Sequence, residues 1–324
     1  MEVSAMIDLI SRRRILFALS ALAALLLAVL LLFLPPEISP SLDGGAELEY
    51  RIHAVLDSKE DQALAQSSLL QTAGDTLGLP VTGTLLPSAT QEDLWILQLE
   101  LAPEDSIAYS DYQSLTYALI NGFPGWTFQS STGISQGHGA AIRTSVNYLL
   151  CLVILFGLLI LYLLFRCRRV QSTPAAAAGA VGLVFCLLGL VSLSAAARIP
   201  FDFSTILAAM AVLVFGTYDI TAVFAALEPP SSSSPEEWAA ALRKAFRDRA
   251  WGLTVNTLTT GLVMLAFTVS SYRSDTALLA SFAFPLLTGL IFALFAGLIL
   301  VPLLWYELRF GRHSSQESQP DAEA

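Results

Sequence analysis

Six stretches of this chain are long and apolar enough to cross a bilayer, and they decide what it can fold into. They are Ile15–Leu34, Val146–Phe165, Ala175–Ala196, Phe203–Leu227, Trp251–Ser270 and Leu278–Leu304. About 20 helical residues span a hydrocarbon core, where a helix satisfies all of its own backbone hydrogen bonds. Composition agrees: of 324 residues, 55% are hydrophobic and only 14% charged, against about 25% charged in a soluble domain. The first stretch is longer than the apolar core of a cleaved leader and lacks a small-x-small site before Pro35-Pro36. It is therefore expected to stay as a signal anchor.

Lys and Arg set the orientation. With both termini in the cytoplasm, Arg12, Arg13, Arg14, Arg166, Arg168, Arg169, Arg243, Lys244, Arg247, Arg249, Arg309 and Arg312 all fall inside. Arg51, Lys59, Arg143, Arg198 and Arg273 fall outside. That bias predicts a multi-pass protein with cytoplasmic ends. Cys151, Cys167 and Cys186 lie in or beside spans without metal-type spacing, so they are read as small apolar fillers.

The division expected is residues 1–35 as N-terminus and first span, 36–144 as one extracytoplasmic domain, 145–310 as spans two to six, and 311–324 as a disordered tail. Within 36–144, "AELEYRIHAVLD" alternates as a strand does and "KEDQALAQSSLLQTAGDTLG" has helical spacing ending at glycine. "LPVTGTLLP" reads as a short strand or turn, and "DLWILQLELAP" as a strand with Trp95, Leu97 and Leu99 on one face. A second amphipathic helix and the short strand "GWTFQS" follow. The order is that of a ferredoxin-like α+β domain. The fold class expected is thus a mainly α membrane protein, with six transmembrane helices and this domain between helices 1 and 2. Fourteen acidic side chains against three basic ones in the domain make nucleic acid an unsuitable partner. The acidity fits a solvated surface, or docking of a basic partner or passing chain.

Residues 228–250 read as a Pro/Ser linker followed by a basic amphipathic helix, with Trp238, Leu242 and Phe246 in one stripe. Such a helix lies on the cytoplasmic leaflet or docks on a partner's loop.

One carboxyl group is misplaced for lipid. Asp219 lies in "FGTYDITAVFAAL", about 12 Å from the cytoplasmic end of its span at ~1.5 Å per residue. A charge there costs about 2.5–3.5 kcal/mol on insertion scales and normally faces the bundle interior. The fifth span opens "WGLTVNTLTTGLVML", which puts Asn256, Thr257, Thr259 and Thr260 at matching depth if spans four and five are antiparallel neighbours. Asn256 and Thr260 share a face, and Gly216 and Gly261 would allow close approach. Asp219, Asn256, Thr257 and Thr260 are thus the candidate intramembrane polar site. It is either a proton relay or a neutral carboxyl hydrogen-bonded to Thr or Asn. No nucleophile with a base, phosphate loop or metal cluster stands out, and His53, His138 and His313 are scattered. No enzymatic activity, cofactor or metal is expected.

Four colinear stretches resemble the SecD/SecF family of protein translocase subunits, within the resistance-nodulation-division transporter superfamily, on its six-span SecF side. They are "SLDGGAELEYRI", "STGISQGHGAAIRTSVNYLLCLV", "FDFSTILAAMAVLVFGTYDITAVFAAL" and "NTLTTGLVMLAF". Asp219 and Phe224 fall on the Asp and Phe of the family's fourth-span motif. The family's third-span His-Asp pair is replaced by "FCLLGL", its basic motif after the fourth span by "AALEP", and its fifth-span arginine by Gly252. Asp219 therefore lacks the family's charged partner.

The resemblance implies a subunit of the Sec protein-export machinery in the bacterial cytoplasmic membrane. Its partners would be a SecD-like subunit, the SecYEG channel, a translocating unfolded polypeptide and membrane lipid, and the proton-motive force would drive it through Asp219. The rival expectations are half of a small-molecule or lipid exporter of the same superfamily, and a non-coupled structural assembly subunit.

Overall fold

The structure, a computed structural model, describes residues 13–39, 42, 45–56, 58–88, 91, 93–102, 107–136, 138–230, 234–274 and 277–310. The expected disordered tail 311–324, the Ser231–Ser233 centre of the linker, Arg12 and Arg312 lie outside them.

Helix α1 (Arg13–Phe33) leads into an α+β unit: β1 (Gly45–His53), α2 (Lys59–Leu77), β2 (Val81–Pro87), β3 (Leu94–Leu101), α3 (Tyr109–Gly122) and β4 (Thr127–Gln136). Each element has a local cause. Ser58 caps α2 by accepting from the Asp61 N–H at 3.0 Å, and Gly78 ends the helix at φ 66°, where a residue without Cβ is unstrained. The strands form one antiparallel sheet in the order β2-β3-β1-β4, the ferredoxin-like arrangement. β1 pairs with β3 from Glu47 opposite Glu100 to His53 opposite Leu94.

Alternation then puts Leu48, Tyr50, Ile52, Trp95, Leu97 and Leu99 under α2 and α3, against Leu69, Ala73, Leu115 and Leu119. The Trp95 indole donates to the Ala54 carbonyl at 3.0 Å. The Tyr50 hydroxyl shares a 3.1 Å hydrogen bond with Thr116; burial, only partly offset by that bond, pushes its pKa up to about 12. Leu97 is fully buried, so Leu97→Ala should destabilise this unit by about 2–5 kcal/mol. Tyr117→Ala at a 66% exposed position should change it by about 0.5 kcal/mol or less. Protease susceptibility of the unit against denaturant reads both.

Five helical passages follow: α4 (His138–Arg166), α5 (Ser172–Ala196), α6 (Phe203–Ala226), α7 (Pro235–Ser274), and α8 (Ala277–Phe295), which continues through a π-helical turn (Ala296–Leu300) into α9 (Val301–Phe310). Together with α1, six helices are long and apolar enough to cross a membrane, and the protein is a multi-pass membrane protein. α5, α6 and the α8–α9 passage form the buried middle, whereas α1, α4 and α7 are mostly exposed. Their bare apolar side chains, such as Val153 and Leu258, suit lipid. α1 packs on the middle through Leu27, Phe185 and Leu300, and Ser192 donates to the Leu27 carbonyl at 3.1 Å. At the α+β end, Phe201 N–H donates to the Glu37 carbonyl at 2.6 Å, Ser39 N–H to the Phe201 carbonyl at 3.0 Å, and Arg198 pairs with Glu37 at 2.7 Å.

Three boundaries differ most from the sequence reading. The last strand runs from Thr127 to Gln136, well beyond "GWTFQS". α4 begins at His138 rather than Val146. The amphipathic helix expected to end at 250 is one with the fifth span, an unbroken 40-residue helix. Nothing between Ala250 and Trp251 breaks a helix, and the end of a charge run is no terminator. The stripe also does not face outward. Trp238, Ala239, Leu242 and Ala245 are buried on Val170, Trp305 and Tyr306, so the helix docks on its own bundle.

Candidate intramembrane site

The α6 helix starts at a built cap: the Asp202 carboxylate accepts from the Thr205 N–H at 2.9 Å. From there it carries an almost wholly apolar sequence to Asp219, which is only 2% exposed. Its side chain faces the π turn. A Cβ placed on Gly297 would lie 2.7 Å from the Asp219 Cβ, 3.3 Å from its carbonyl carbon and 3.4 Å from the Ile220 nitrogen. Only glycine lets the two backbones come this close. Cys186 of α5 is near enough to interact electrostatically with the carboxyl. Among the described residues no hydrogen bond or ion pair reaches the Asp219 side chain.

The π turn follows from Pro302. Proline has no N–H and crowds the carbonyl four residues earlier, here that of Leu298. The helix widens by one residue, and the Val301 N–H donates to the Ala296 carbonyl instead. Such turns are often found at functional sites. This one presents Gly297 to Asp219.

The fifth-span residues divide. Leu253 packs with Val223 and Leu298. One turn inward on each antiparallel helix come Thr257 and Asp219, so Thr257 stands level with the carboxyl. Thr257 is 8% exposed and its hydroxyl has no hydrogen bond among the described residues. Asn256 does not join them. It is exposed, about 100° further round the helix, and belongs to the outward face. Thr260 is half-buried and its hydroxyl donates to the Asn256 carbonyl at 3.0 Å. Thr259 bonds back to Val255 at 2.8 Å.

Gly216 and Gly261 also serve other contacts than the expected one. A Cβ on Gly216 would meet Leu183 of α5 at 3.0 Å and Ala293 of α8 at 3.7 Å, and one on Gly261 would meet Leu287 of α8 at 3.4 Å. The assumption that spans adjacent in sequence pack most closely fails here: α6 leans chiefly on α8 and the π turn. Gly297 and Pro302 were missed, although "GLILVP", glycine five residues before a proline in an apolar span, signals a widened turn.

The site is thus a single buried carboxyl group among mostly apolar side chains, with Thr257 level with it on the fifth span and Thr217 and Thr221 buried on its own helix. Among the described residues no three His, Cys, Asp or Glu side chains gather as metal ligands. A carboxyl group in such a place either gains and loses a proton where a charge is costly or stays neutral as part of the packing.

Fold and site together define a six-span membrane protein with one α+β domain between its first two helices and a buried carboxyl group in the fourth. No family model and no curated protein matches the chain. Solved structures do. A crystal structure of SecDF in a super-membrane-facing form matches with a TM-score of 0.58 and 16% identity, over 99% of this chain and 41% of that one. A crystal structure of SecDF from Thermus thermophilus, described as a translocon-associated membrane protein, matches with a TM-score of 0.69 and 14% identity, over 98% of this chain and 40% of that one. The chain therefore has the fold of part of SecDF, and spans about two-fifths of the length of those proteins.

Proposed function

We propose that this chain is the SecF-like half of a SecD–SecF-type accessory to the Sec export machinery of the bacterial cytoplasmic membrane, without enzymatic activity of its own. A SecD-like subunit supplies the remaining spans, as expected where this chain matches two-fifths of SecDF. The complex works beside the SecYEG channel, and the acidic outer domain engages the emerging unfolded chain. The observation that carries this is Asp219, buried in the fourth span of that fold.

Proton coupling has a direct physical form here. With the carboxyl neutral, α6 and the π turn stay closed around Gly297. With it ionised, the cost of a charge in a span, about 2.5–3.5 kcal/mol on insertion scales, favours an arrangement that lets water or Thr257 reach it. A gradient that alternately protonates and deprotonates the group moves α6 between the two, and the outer domain follows through the contacts of Phe201 and Arg198 with residues 37–39. The two states are populations that protonation shifts.

One observation favours a non-coupled structural subunit: no cation partners Asp219 among the described residues. Inside-out vesicles whose export depends on this chain separate the two. Coupling requires that an uncoupler abolish the chain's contribution to export. A contribution that survives the uncoupler assigns the structural role.

A further inference from the structure

Far from Asp219, at the end of the bundle away from the α+β domain, α1, α7 and α9 meet in an aromatic and basic corner. The Arg309 guanidinium lies 3.7 Å from the centroid of the Trp238 ring, 5.1 Å from that of Phe310 and 5.5 Å from that of Trp305. Beside it Arg13 pairs with Glu307 at 2.9 Å and lies 5.9 Å over Tyr306. The Tyr306 hydroxyl donates to the Pro235 carbonyl at 3.2 Å, and Trp305 donates to the Val170 carbonyl at 2.8 Å.

Two donors in this corner are left over. Nη1 of Arg309 and Nε1 of Trp238 are both buried, and neither has a hydrogen-bond partner among the described residues. Trp238 as a whole is 4% exposed. Stacking satisfies the face of a guanidinium and leaves its in-plane N–H groups unmet. Enclosed donors without acceptors are rare in native proteins and call for a ligand. Arg309 as a whole is half-buried, so a small shift of its side chain brings the enclosed donors to the membrane surface.

We propose that Arg309 and Trp238 bind the phosphate of an anionic phospholipid, which accepts from Arg309 Nη1 and Trp238 Nε1. A phosphate oxygen is the acceptor that suits a guanidinium fork. The source is lipid because of where the corner sits. Trp238, Trp305 and Tyr306 are buried, but they lie at the end of the bundle where α1 begins and α9 ends, the level of the headgroups of a spanning bundle. Anionic lipid is favoured because Glu307 is already paired with Arg13. Arg243 and Glu236 also act on Tyr306 and offset each other, which leaves Arg309 as the unpaired charge of the corner among the described residues. The lipid would hold the start of α7 to the end of α9.

The test uses the full chain in nanodiscs of phosphatidylcholine with and without phosphatidylglycerol. It reads lipid retained by native mass spectrometry and the thermal unfolding midpoint. Phosphatidylglycerol should be retained and should raise the midpoint. Trp238→Phe keeps a ring under Arg309 and removes only the N–H, so retention should fall about fivefold, the effect of one hydrogen bond. Arg309→Gln should lose more, and should it misfold the Trp238 variant still decides. Retention unchanged in Trp238→Phe overturns the proposal. So does equal stabilisation by inorganic phosphate in phosphatidylcholine alone. Lipid retention that appears only after removal of residues 311–324 would assign the donors to the chain's own tail, and overturns it as well.

Discussion

Asp219→Asn should leave the protein folded, inserted and assembled, and should reduce its contribution to export to that of membranes lacking the chain. Asparagine has the shape of a neutral aspartic acid, fits against Gly297 as the native side chain does, and opens no cavity. Its cost in stability should stay below about 1.5 kcal/mol, as for other isosteric swaps. What it cannot do is exchange a proton. Asp219→Glu is the informative companion. It keeps the exchangeable proton but adds a methylene to a buried side chain and shifts the carboxyl, so activity should fall part of the way. Export in vesicles, beside the unfolding midpoint of the same preparations, separates loss of the proton from loss of packing. Full export by Asp219→Asn would reduce the group to a buried structural carboxyl.

Gly297→Ala should be disproportionately harmful for a change of one methyl group. In most helices glycine to alanine gains up to about 1 kcal/mol through backbone entropy. Here the new Cβ would meet the Asp219 Cβ at 2.7 Å and Asp219 backbone at 3.3 Å. Backbone cannot rotate aside, so α6 and the π turn must separate, at a cost of about 1–3 kcal/mol. The movement also displaces the carboxyl, so export should fall with stability. Gly157→Ala on α4 is the control, since nothing lies within 4 Å of its added Cβ, and it should be neutral or stabilising. Equal unfolding midpoints for the two variants would show that the contact with Asp219 is looser than described.

The elements were readable where chemistry is local. Six apolar runs gave six helices because a bilayer span is a matter of length and hydropathy. Period-two alternation at Trp95, Leu97 and Leu99 gave the buried face of β3 because a strand can do nothing else with it. The depth of Asp219 was also readable, and antiparallel register brought Thr257 level with it. The contacts around it were not. Which helix a buried residue faces depends on packing among elements far apart in sequence, and α6 chose α8 and the π turn over its sequence neighbour α7. Asn256 was assigned by depth, which is only half of a position on a helix; its angle puts it outside. The docking of Trp238 and Leu242 on Trp305 had the same cause. An amphipathic stripe announces a covered face and leaves open whether lipid, a partner or the chain itself covers it.

The most direct measurement is gentle detergent extraction of the tagged full chain from its native membrane, followed by mass spectrometry of what stays bound. A SecF-like half should bring a SecD-like subunit with it, together with SecY. A chain that comes out alone, or with an unrelated exporter half, would contradict the assignment and leave Asp219 as a buried group of the fold.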